Sequence, residues 1–371
     1  MKPIWHVYYA TRGTSGAYID ALLRASSIAG IKAAAFASAN YRFSFGKVYK
    51  CFFPLTDFTE KRNAFILLIR GLELVITYSY VLVLTVFCRP VIVIHLVDDL
   101  RVTYMFFKAC KLLGLTVRIT CHDVSSHYLG MNNIRARILA GADELIVHND
   151  AALQIIYEQL GKSVKNKIKM YPFPYSAYDE IISPHKLDTV RSRLRHEIGT
   201  GYYLFLGVVR RSKGIETLLH AWPMFNKDKR ERLVIAGKWT DPDKRNRKIA
   251  DDDDTIAVID RYVNDEEFVQ LIQDAKFVVL PYLDYAHSAV IIACGNHGGA
   301  VVISDIDLFK QLLPNYSLVF KHGDVADLVR ALKRSVELSK TDINYHRQEL
   351  NQAVLTQNKT LVADLREAYR S

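Results

Sequence analysis

The chain has 371 residues, of which half are hydrophobic, and a formal net charge of +10. A typical domain size of about 100–200 residues predicts two domains, and this apolar content is enough to fill both cores. The five cysteines show no CxxC spacing and are interpreted as reduced thiols of a cytosolic protein. No helix-turn-helix, zinc-finger or RNP-like pattern is present, which argues against nucleic acid as a partner.

The positive charge is concentrated in one half of the chain. Residues 1–172 carry 21 Lys and Arg against 11 Asp and Glu, whereas residues 173–371 carry 28 of each kind. A basic domain joined to a neutral one predicts that the first half faces something anionic, such as a phospholipid surface or a phosphorylated acceptor.

Short apolar runs alternate with helical patterns through the first half. Predicted strands are Ile4–Tyr9, Ala33–Ala37, Val91–Leu96, Thr116–Cys121, Glu144–His148 and Ile168–Pro172. Predicted helices are Ala17–Ala29, Val102–Leu113 and Ala151–Leu160. Strands that alternate with helices predict a parallel sheet covered on both faces.

One apolar segment, Leu72–Cys88, nearly reaches the roughly 20 residues that a membrane-spanning helix needs. It follows a basic stretch, Lys61–Arg70, and precedes the apolar run Val91–Leu96. The pattern favours a helix on the face of a sheet, dipping into a bilayer interface, followed by a buried parallel strand. A membrane span is the alternative.

The second half repeats the alternation. Predicted strands are Tyr203–Leu206, Leu233–Ala236, Thr255–Ile259, Phe277–Leu280, Ala300–Ile303 and Ser317–Phe320, with helices near Gly214–Phe225, Asp265–Gln273 and Val325–Leu338. The predicted domains are residues 1–172 and 201–350, with a linker at 173–200 and a C-terminal helix at 351–371 packing back on the first domain. Two doubly wound, Rossmann-like sheets facing each other would form a ligand cleft at the carboxyl ends of their strands.

The segment Phe205–Trp222 combines a buried strand, a glycine turn with three cations and the start of a helix. Gly207 permits a close backbone approach, and Arg210, Arg211 and Lys213 stand where a helix N-terminus already favours negative charge. Charge-assisted contacts from Arg and Lys to a diphosphate suit such a turn. A solvated basic turn is the alternative interpretation.

Four motifs in order resemble the nucleotide-sugar-binding half of the retaining glycosyltransferases of family 4, which have the two-domain GT-B fold. They are the Gly207–Gly214 turn, Val234-Ile-Ala-Gly237, the Arg261–Ala275 segment and the Pro281–Asp305 segment. The resemblance implies that the turn binds the donor diphosphate and that backbone at Arg261, Tyr262 and Val263 holds the base.

The chain departs from this resemblance at the catalytic loop. Many family members carry two glutamates eight residues apart, and the corresponding positions here are Tyr285 and Ala293, or Tyr282 and Val290 in the other register. The loop is closer to a Pro-Tyr…Ser variant of the family, in which Ser288 and the amides from Ala289 onward would hold the diphosphate. Asp284 is the candidate for part of the missing carboxylate's role.

In the first half, Thr11–Tyr18 resembles the family's N-terminal glycine loop, with Gly13 and Gly16 bordering the donor. His122 resembles the strand-end histidine that faces the reacting sugar. A structural histidine is the alternative interpretation.

The expected activity is therefore transfer of a hexose, with retention of configuration, from a nucleotide diphosphate sugar to a glycan or a polyprenyl-diphosphate-linked acceptor, in bacterial polysaccharide or glycolipid synthesis. His122, Arg210 and Lys213 are the predicted catalytic residues, and no metal or other cofactor is expected because cations occupy that electrostatic role. A cytoplasmic protein in contact with an anionic membrane is expected. A catalytically silent GT-B scaffold and a sugar phosphorylase on the same fold remain open.

Overall fold

The computed structural model describes residues 2–8, 14–52, 64–95, 100–122, 133–284 and 288–370. The chain divides into two compact units. The first comprises Met1–Tyr175 together with Gln357–Ser371, and the second comprises Ser176–Thr356.

The first unit is built on seven parallel strands with the order β3-β2-β1-β4-β5-β6-β7. The strands are β1 (Ile4–Val7), β2 (Ala33–Ser38), β3 (Lys47–Phe52), β4 (Val91–His95), β5 (Val117–Thr120), β6 (Glu144–Val147) and β7 (Ile168–Met170). Its helices are α1 (Thr14–Ile28), α2 (Ala64–Cys88), α3 (Leu100–Leu112), α4 (Asn133–Gly141) and α5 (Asp150–Leu160). Strand order reverses between β1 and β4, so the crevice at the carboxyl ends of these two strands is the switch point of the sheet.

The second unit repeats this plan with six parallel strands in the order β10-β9-β8-β11-β12-β13. The strands are β8 (Tyr202–Leu206), β9 (Leu233–Ala236), β10 (Ile256–Ile259), β11 (Ala275–Leu280), β12 (Val301–Ser304) and β13 (Val319–Phe320). Its helices are α6 (Pro184–Ile198), α7 (Ile215–Phe225), α8 (Lys244–Asp252), α9 (Asp265–Asp274), α10 (Ala289–His297), α11 (Asp307–Leu312) and α12 (Val325–Glu337). Here the order reverses between β8 and β11.

The last helix, α13 (Lys340–Arg370), contributes residues to both units. Its C-terminal part belongs to the first unit, where Leu361 and Leu365 are buried in a cluster with Ile4 and Ile31. Arg366 donates a hydrogen bond to the carbonyl of Ile28 at 2.8 Å. Burial of these leucines removes apolar surface from water and fixes the end of the chain against β1 and α1.

The prediction of two doubly wound α/β halves is confirmed, because both sheets are entirely parallel and alternate with helices. One strand was missed. β3 has mostly exposed or half-buried residues and carries Lys47 and Lys50 on an edge, so it lacks the continuous apolar run of a central strand. The apolar segment predicted at Leu72–Cys88 is the greater part of α2, which begins earlier, at Ala64, and leads into the buried strand β4.

Candidate functional site

The switch point of the second sheet brings together two loops that are far apart in sequence. Gly207 follows β8, and Pro281 and Tyr282 follow β11. The amide of Leu283 donates to the carbonyl of Ser212 at 3.0 Å, which joins the two loops directly. Ligands of open α/β sheets bind at this position, outside the carboxyl ends of the strands where their order reverses.

Two glycines allow the backbones of this site to approach one another. Gly214 has φ +68°, and a Cβ there would lie 1.7 Å from the carbonyl oxygen of Pro281. Gly237 has φ +145°, and its Cβ would lie 2.0 Å from the carbonyl oxygen of Gly207. Any side chain at either position would overlap backbone atoms, so the turn keeps its shape only with glycine.

The backbone of the turn exposes one of its cations and buries another. Arg210 is extended, a 3-10 turn follows over Arg211–Lys213, and α7 begins after Gly214. Arg211 is exposed, whereas Lys213 is buried, with 6% of its surface accessible. An ammonium group is held in the interior only where its surroundings offset the loss of hydration.

Tyr282 is the centre of this arrangement, and the sequence reasoning did not include it among the site residues. The Lys213 ammonium lies 3.8 Å from the centre of the Tyr282 ring, a cation–π contact. The Ser288 hydroxyl donates to the Tyr282 phenol oxygen at 3.3 Å. Burial raises the pKa of the Tyr282 phenol, against the opposing effects of the Ser288 hydrogen bond and the positive charge of Arg210. A tyrosine directly after the strand-end proline was the available signal.

Helix α10 starts beside the same turn. Ser288 is its N-cap, but its hydroxyl is directed to Tyr282 and makes no side-chain cap. A Cβ on Gly207 would lie 3.9 Å from Val290, which places the turn after β8 against the first turn of α10. The first amides of a helix have no intrahelical acceptor and favour an anion, so Ala289 and its neighbours extend the cationic turn.

In the Arg261–Val263 segment, the side chain of Arg261 has a structural role. Arg261 donates two hydrogen bonds of 2.7 Å to the carboxylate of Glu267, which also closes a capping box with Asn264 at the start of α9. Burial acts to raise the pKa of Glu267, but its hydrogen bonds to Arg261 and Asn264 lower it overall. Tyr262 is 64% exposed and Val263 is half-buried.

Two positions expected to hold glutamates are occupied by buried apolar residues of α10, Val290 and Ala293. In the register that ends at Val290, the first position is Tyr282. In the register that ends at Ala293 it is Tyr285, which lies outside the described residues. Asp284 is exposed.

Four histidines of the first unit line up at the carboxyl ends of its strands. His6 Nδ1 lies 3.2 Å from His95 Nε2, and His95 Nδ1 lies 2.9 Å from His122 Nε2. His148 Nδ1 lies 3.0 Å from the carbonyl oxygen of Tyr171, and its Nε2 lies 3.0 Å from the Tyr18 hydroxyl. The predicted His122 is therefore one end of a chain of imidazoles that begins in β1 and crosses the switch point at β4.

Burial favours the neutral form of the buried histidines His6, His95 and His148. Burial lowers the pKa of His6 and of His148 to about 4, and that of His95 well below its usual value. A neutral His148 must donate from Nδ1, because a carbonyl only accepts, so its Nε2 accepts from Tyr18. A neutral His95 donates to one neighbour and accepts from the other, so the direction of the chain decides whether His122 Nε2 carries a proton.

The predicted glycine loop is only partly described. Gly16 is buried in α1, and Gly13 lies outside the described residues. Tyr8, at the end of β1, donates to the Ser15 hydroxyl at 3.0 Å and stacks on His122 with ring centres 5.2 Å apart. Among the residues that the structure describes, no group of three His, Cys, Asp or Glu side chains could hold a metal ion.

Comparison with known families finds a match within the second unit. Residues 200–337 match the sequence profile of the family described as glycosyl transferases group 1. The match covers the elements from β8 to α12. The turn with Arg210 and Lys213, Tyr282 and the start of α10 all lie within the matched residues. The comparison with curated proteins found no match to this chain.

Solved structures share the fold of the whole chain at low sequence identity. The N-terminal domain of trehalose-6-phosphate phosphatase from Candida albicans has a TM-score of 0.67 at 9% identity, over 99% of this chain and 96% of that one. Sucrose-phosphate synthase from Thermosynechococcus elongatus has a TM-score of 0.66 at 15% identity, over 100% and 98%. The Anabaena protein HepE, in complex with UDP, has a TM-score of 0.62 at 13% identity, over 100% and 98%. The chain thus has the GT-B fold, and the matched residues 200–337 lie in its second half.

Proposed function

We propose that the protein is a glycosyltransferase that moves a hexose from a nucleotide diphosphate sugar to a glycan or lipid-linked sugar. The observation that carries this proposal is the convergence of Arg210, Lys213 and the N-terminus of α10 around Tyr282, at the switch point of the second sheet and within the residues that match the group 1 family. Three sources of positive potential at one strand-end crevice suit a diphosphate better than a neutral ligand.

The chemistry follows from where charge develops. When the bond between the sugar and the diphosphate breaks, its electron pair stays on the phosphate oxygen and positive charge builds on the ring. Arg210 and Lys213 would stabilise the departing diphosphate, and losing one such contact costs about 2–4 kcal/mol of transition-state stabilisation. In this scheme the side-chain cations fill the role that a divalent metal would otherwise have.

The finer features rest on resemblance. Retention of configuration, with a leaving-phosphate oxygen taking the acceptor's proton, and a setting in bacterial polysaccharide or glycolipid synthesis are proposed from the family 4 motifs. In this proposal His122 of the first unit would face the reacting sugar and donate a hydrogen bond to, or accept one from, a hydroxyl group of that sugar. UDP-sugars are the first donors to test, because HepE was solved with UDP.

The deciding experiment is a thermal-shift screen against UDP, GDP, ADP and their hexose conjugates. A ligand at about 100 times its dissociation constant should stabilise the fold by about 2.7 kcal/mol. Arg210→Ala and Lys213→Met should lose most of that shift, whereas Arg211→Ala should keep it, because Arg211 is the exposed cation of the same turn.

Three outcomes would count against the proposal. A shift with inorganic phosphate and with no nucleotide would favour a phosphorylase. Nucleotide binding without turnover of any nucleotide sugar would favour a silent scaffold, in keeping with the apolar residues at Val290 and Ala293. A shift that Arg211→Ala removes as completely as Arg210→Ala would mean that the turn acts only as general positive charge.

A further inference from the structure

We infer that one face of α2 docks the first unit on an anionic lipid bilayer, with the helix lying in the interface. This inference deepens the proposed function, on which it rests only for its link to a lipid-linked acceptor. The α2 face is the set of apolar side chains on this helix that are exposed. It includes Phe65, Leu72, Ile76, Val83, Val86 and Phe87.

The α2 face is continuous along the helix. At 3.6 residues per turn, these six residues fall within an arc of about 100° on a helix about 38 Å long. Their exposure is high, reaching 67% for Phe65 and 81% for Phe87. An uninterrupted apolar surface of this length marks a site of interaction, because single exposed apolar residues are common but contiguous stripes are not.

The opposite face of α2 is held by the protein. Leu74, Tyr78 and Val81 are buried, and the Thr77 hydroxyl donates to the carbonyl of Cys51 in β3 at 2.9 Å. The Tyr78 ring stacks on Phe106 of α3 with centres 4.3 Å apart. Leu68–Cys88 is long and apolar enough to cross a membrane, the one such helix in the described part of the chain, which by itself is weak evidence. A helix with one face packed into a folded unit can lie in the interface without crossing it.

The charge around the α2 face favours an anionic partner. The packed elements β3, α2 and α3 contain six Lys and Arg and one carboxylate, Glu73. Arg101 and Lys108 alternate with the exposed Met105 and Leu112 along the outer side of α3. This composition matches an interfacial surface, with apolar residues for the acyl boundary and cations for the headgroups.

Arg89, which is not among these six cations, and Lys47 of β3 lie at the C-terminal end of the α2 face. Arg89 donates to the carbonyl of Leu113 at 3.2 Å and so joins the ends of α2 and α3. Lys47 lies within electrostatic range of Tyr80 and Cys88. A second copy of the chain is a poorer occupant, because a symmetric contact would bring two sets of like charges together.

Flotation with vesicles tests this inference without any need for catalysis. We expect the protein to bind vesicles of equal parts phosphatidylcholine and phosphatidylglycerol, to bind phosphatidylcholine alone weakly, and to release at high salt. Ile76→Gln/Val83→Gln/Phe87→Gln should weaken binding by at least about tenfold. The matched control is Val336→Gln/Tyr345→Gln/Leu355→Gln, which changes three exposed apolar residues of the second unit and should bind like the wild type.

A second readout uses the exposed thiol of Cys88 at the end of α2. An environment-sensitive fluorophore on Cys88, in a Cys51→Ser background, should shift to the blue when anionic vesicles are added. Absence of vesicle binding, equal binding by the α2 variant and its control, or a wild-type dimer that the α2 variant makes monomeric would each overturn the inference. The nucleotide thermal shift of the α2 variant should stay unchanged, so failure here is distinguishable from failure of the proposed function.

Discussion

The ammonium group of Lys213 lies 3.8 Å from the centre of the Tyr282 ring, and both side chains are buried. The contact joins the turn after β8 to the loop after β11, the two loops that flank the switch point of the second sheet. The contact holds the Lys213 ammonium beside the position where the diphosphate of a bound nucleotide is proposed to lie.

The Tyr282 ring and hydroxyl should contribute separately. Tyr282→Leu removes the ring face below Lys213, and we expect a loss of about 2–3 kcal/mol of stability and at least tenfold weaker nucleotide binding. Tyr282→Phe keeps the ring and loses the 3.3 Å contact with Ser288, for a cost of about 1 kcal/mol. Urea unfolding and nucleotide titration of both variants would check this. Equal effects of the two substitutions would contradict a role for the ring.

The shape of the turn should depend on Gly214. In Gly214→Ala the new Cβ would meet the carbonyl of Pro281, and we expect the free energy of unfolding to fall by at least about 3 kcal/mol. We also expect the nucleotide thermal shift to be lost. Gly298→Ala is the matched control, because Gly298 has φ +73° and no atom within 4 Å of an added Cβ. Backbone strain alone should cost it about 1–2 kcal/mol. Similar melting temperatures for the two variants would show that the contact with Pro281 can relax.

The first unit should lose stability as the pH falls. His6 and His148 have pKa values of about 4 in the folded state against 6.5 for an ordinary histidine, so between these pH values the unfolded chain binds protons that the folded one does not. The stability that each neutral histidine contributes is fully present above pH 6.5 and is lost as the pH falls to 4. The expected decrease in the free energy of unfolding is about 3 kcal/mol per histidine.

Thermal unfolding across this pH range would measure the effect. His148→Phe should show a smaller loss than the wild type, because one neutral buried histidine is removed. His220→Gln, at an exposed position, should follow the wild type. A pH profile of His148→Phe identical to that of the wild type would disprove the linkage.

The direction of the imidazole chain should affect turnover if the protein transfers sugars. His122→Ala is expected to lower kcat/KM by about a hundredfold. His95→Phe keeps His122 but removes its 2.9 Å hydrogen-bond partner, so the pH dependence of kcat/KM should shift. A lower kcat/KM with an unchanged pH profile would assign His95 a packing role only.

Arg261 should support the fold and leave nucleotide affinity unchanged. Arg261→Ala removes two hydrogen bonds from the buried Glu267, for an expected cost of about 1–2 kcal/mol. If backbone groups hold the base, the dissociation constant should change by less than about twofold. Tyr262→Ala, at an exposed position, is the control. A tenfold loss of affinity at constant melting temperature would place the guanidinium on the nucleotide.

Much of the site could be predicted, because part of it is local in sequence. Gly207, Arg210 and Lys213 lie within one turn between a strand and a helix, and that turn forms as expected. The Tyr282 contact could not be predicted, since it depends on β8 and β11 being neighbours in the sheet. The same holds for His6 and His95, which are 89 residues apart and meet only because β1 pairs with β4.

The sequence alone determined the two parallel α/β halves, the cationic glycine turn and the basic character of the first half, because each depends on local patterns of apolar and charged residues. The tertiary structure decided which strand ends are neighbours, which histidines are within hydrogen-bonding distance of one another and which face of α2 stays exposed. These depend on long-range strand pairing and helix packing, in which a residue's partner is set by the topology of the sheet and lies far from it along the chain.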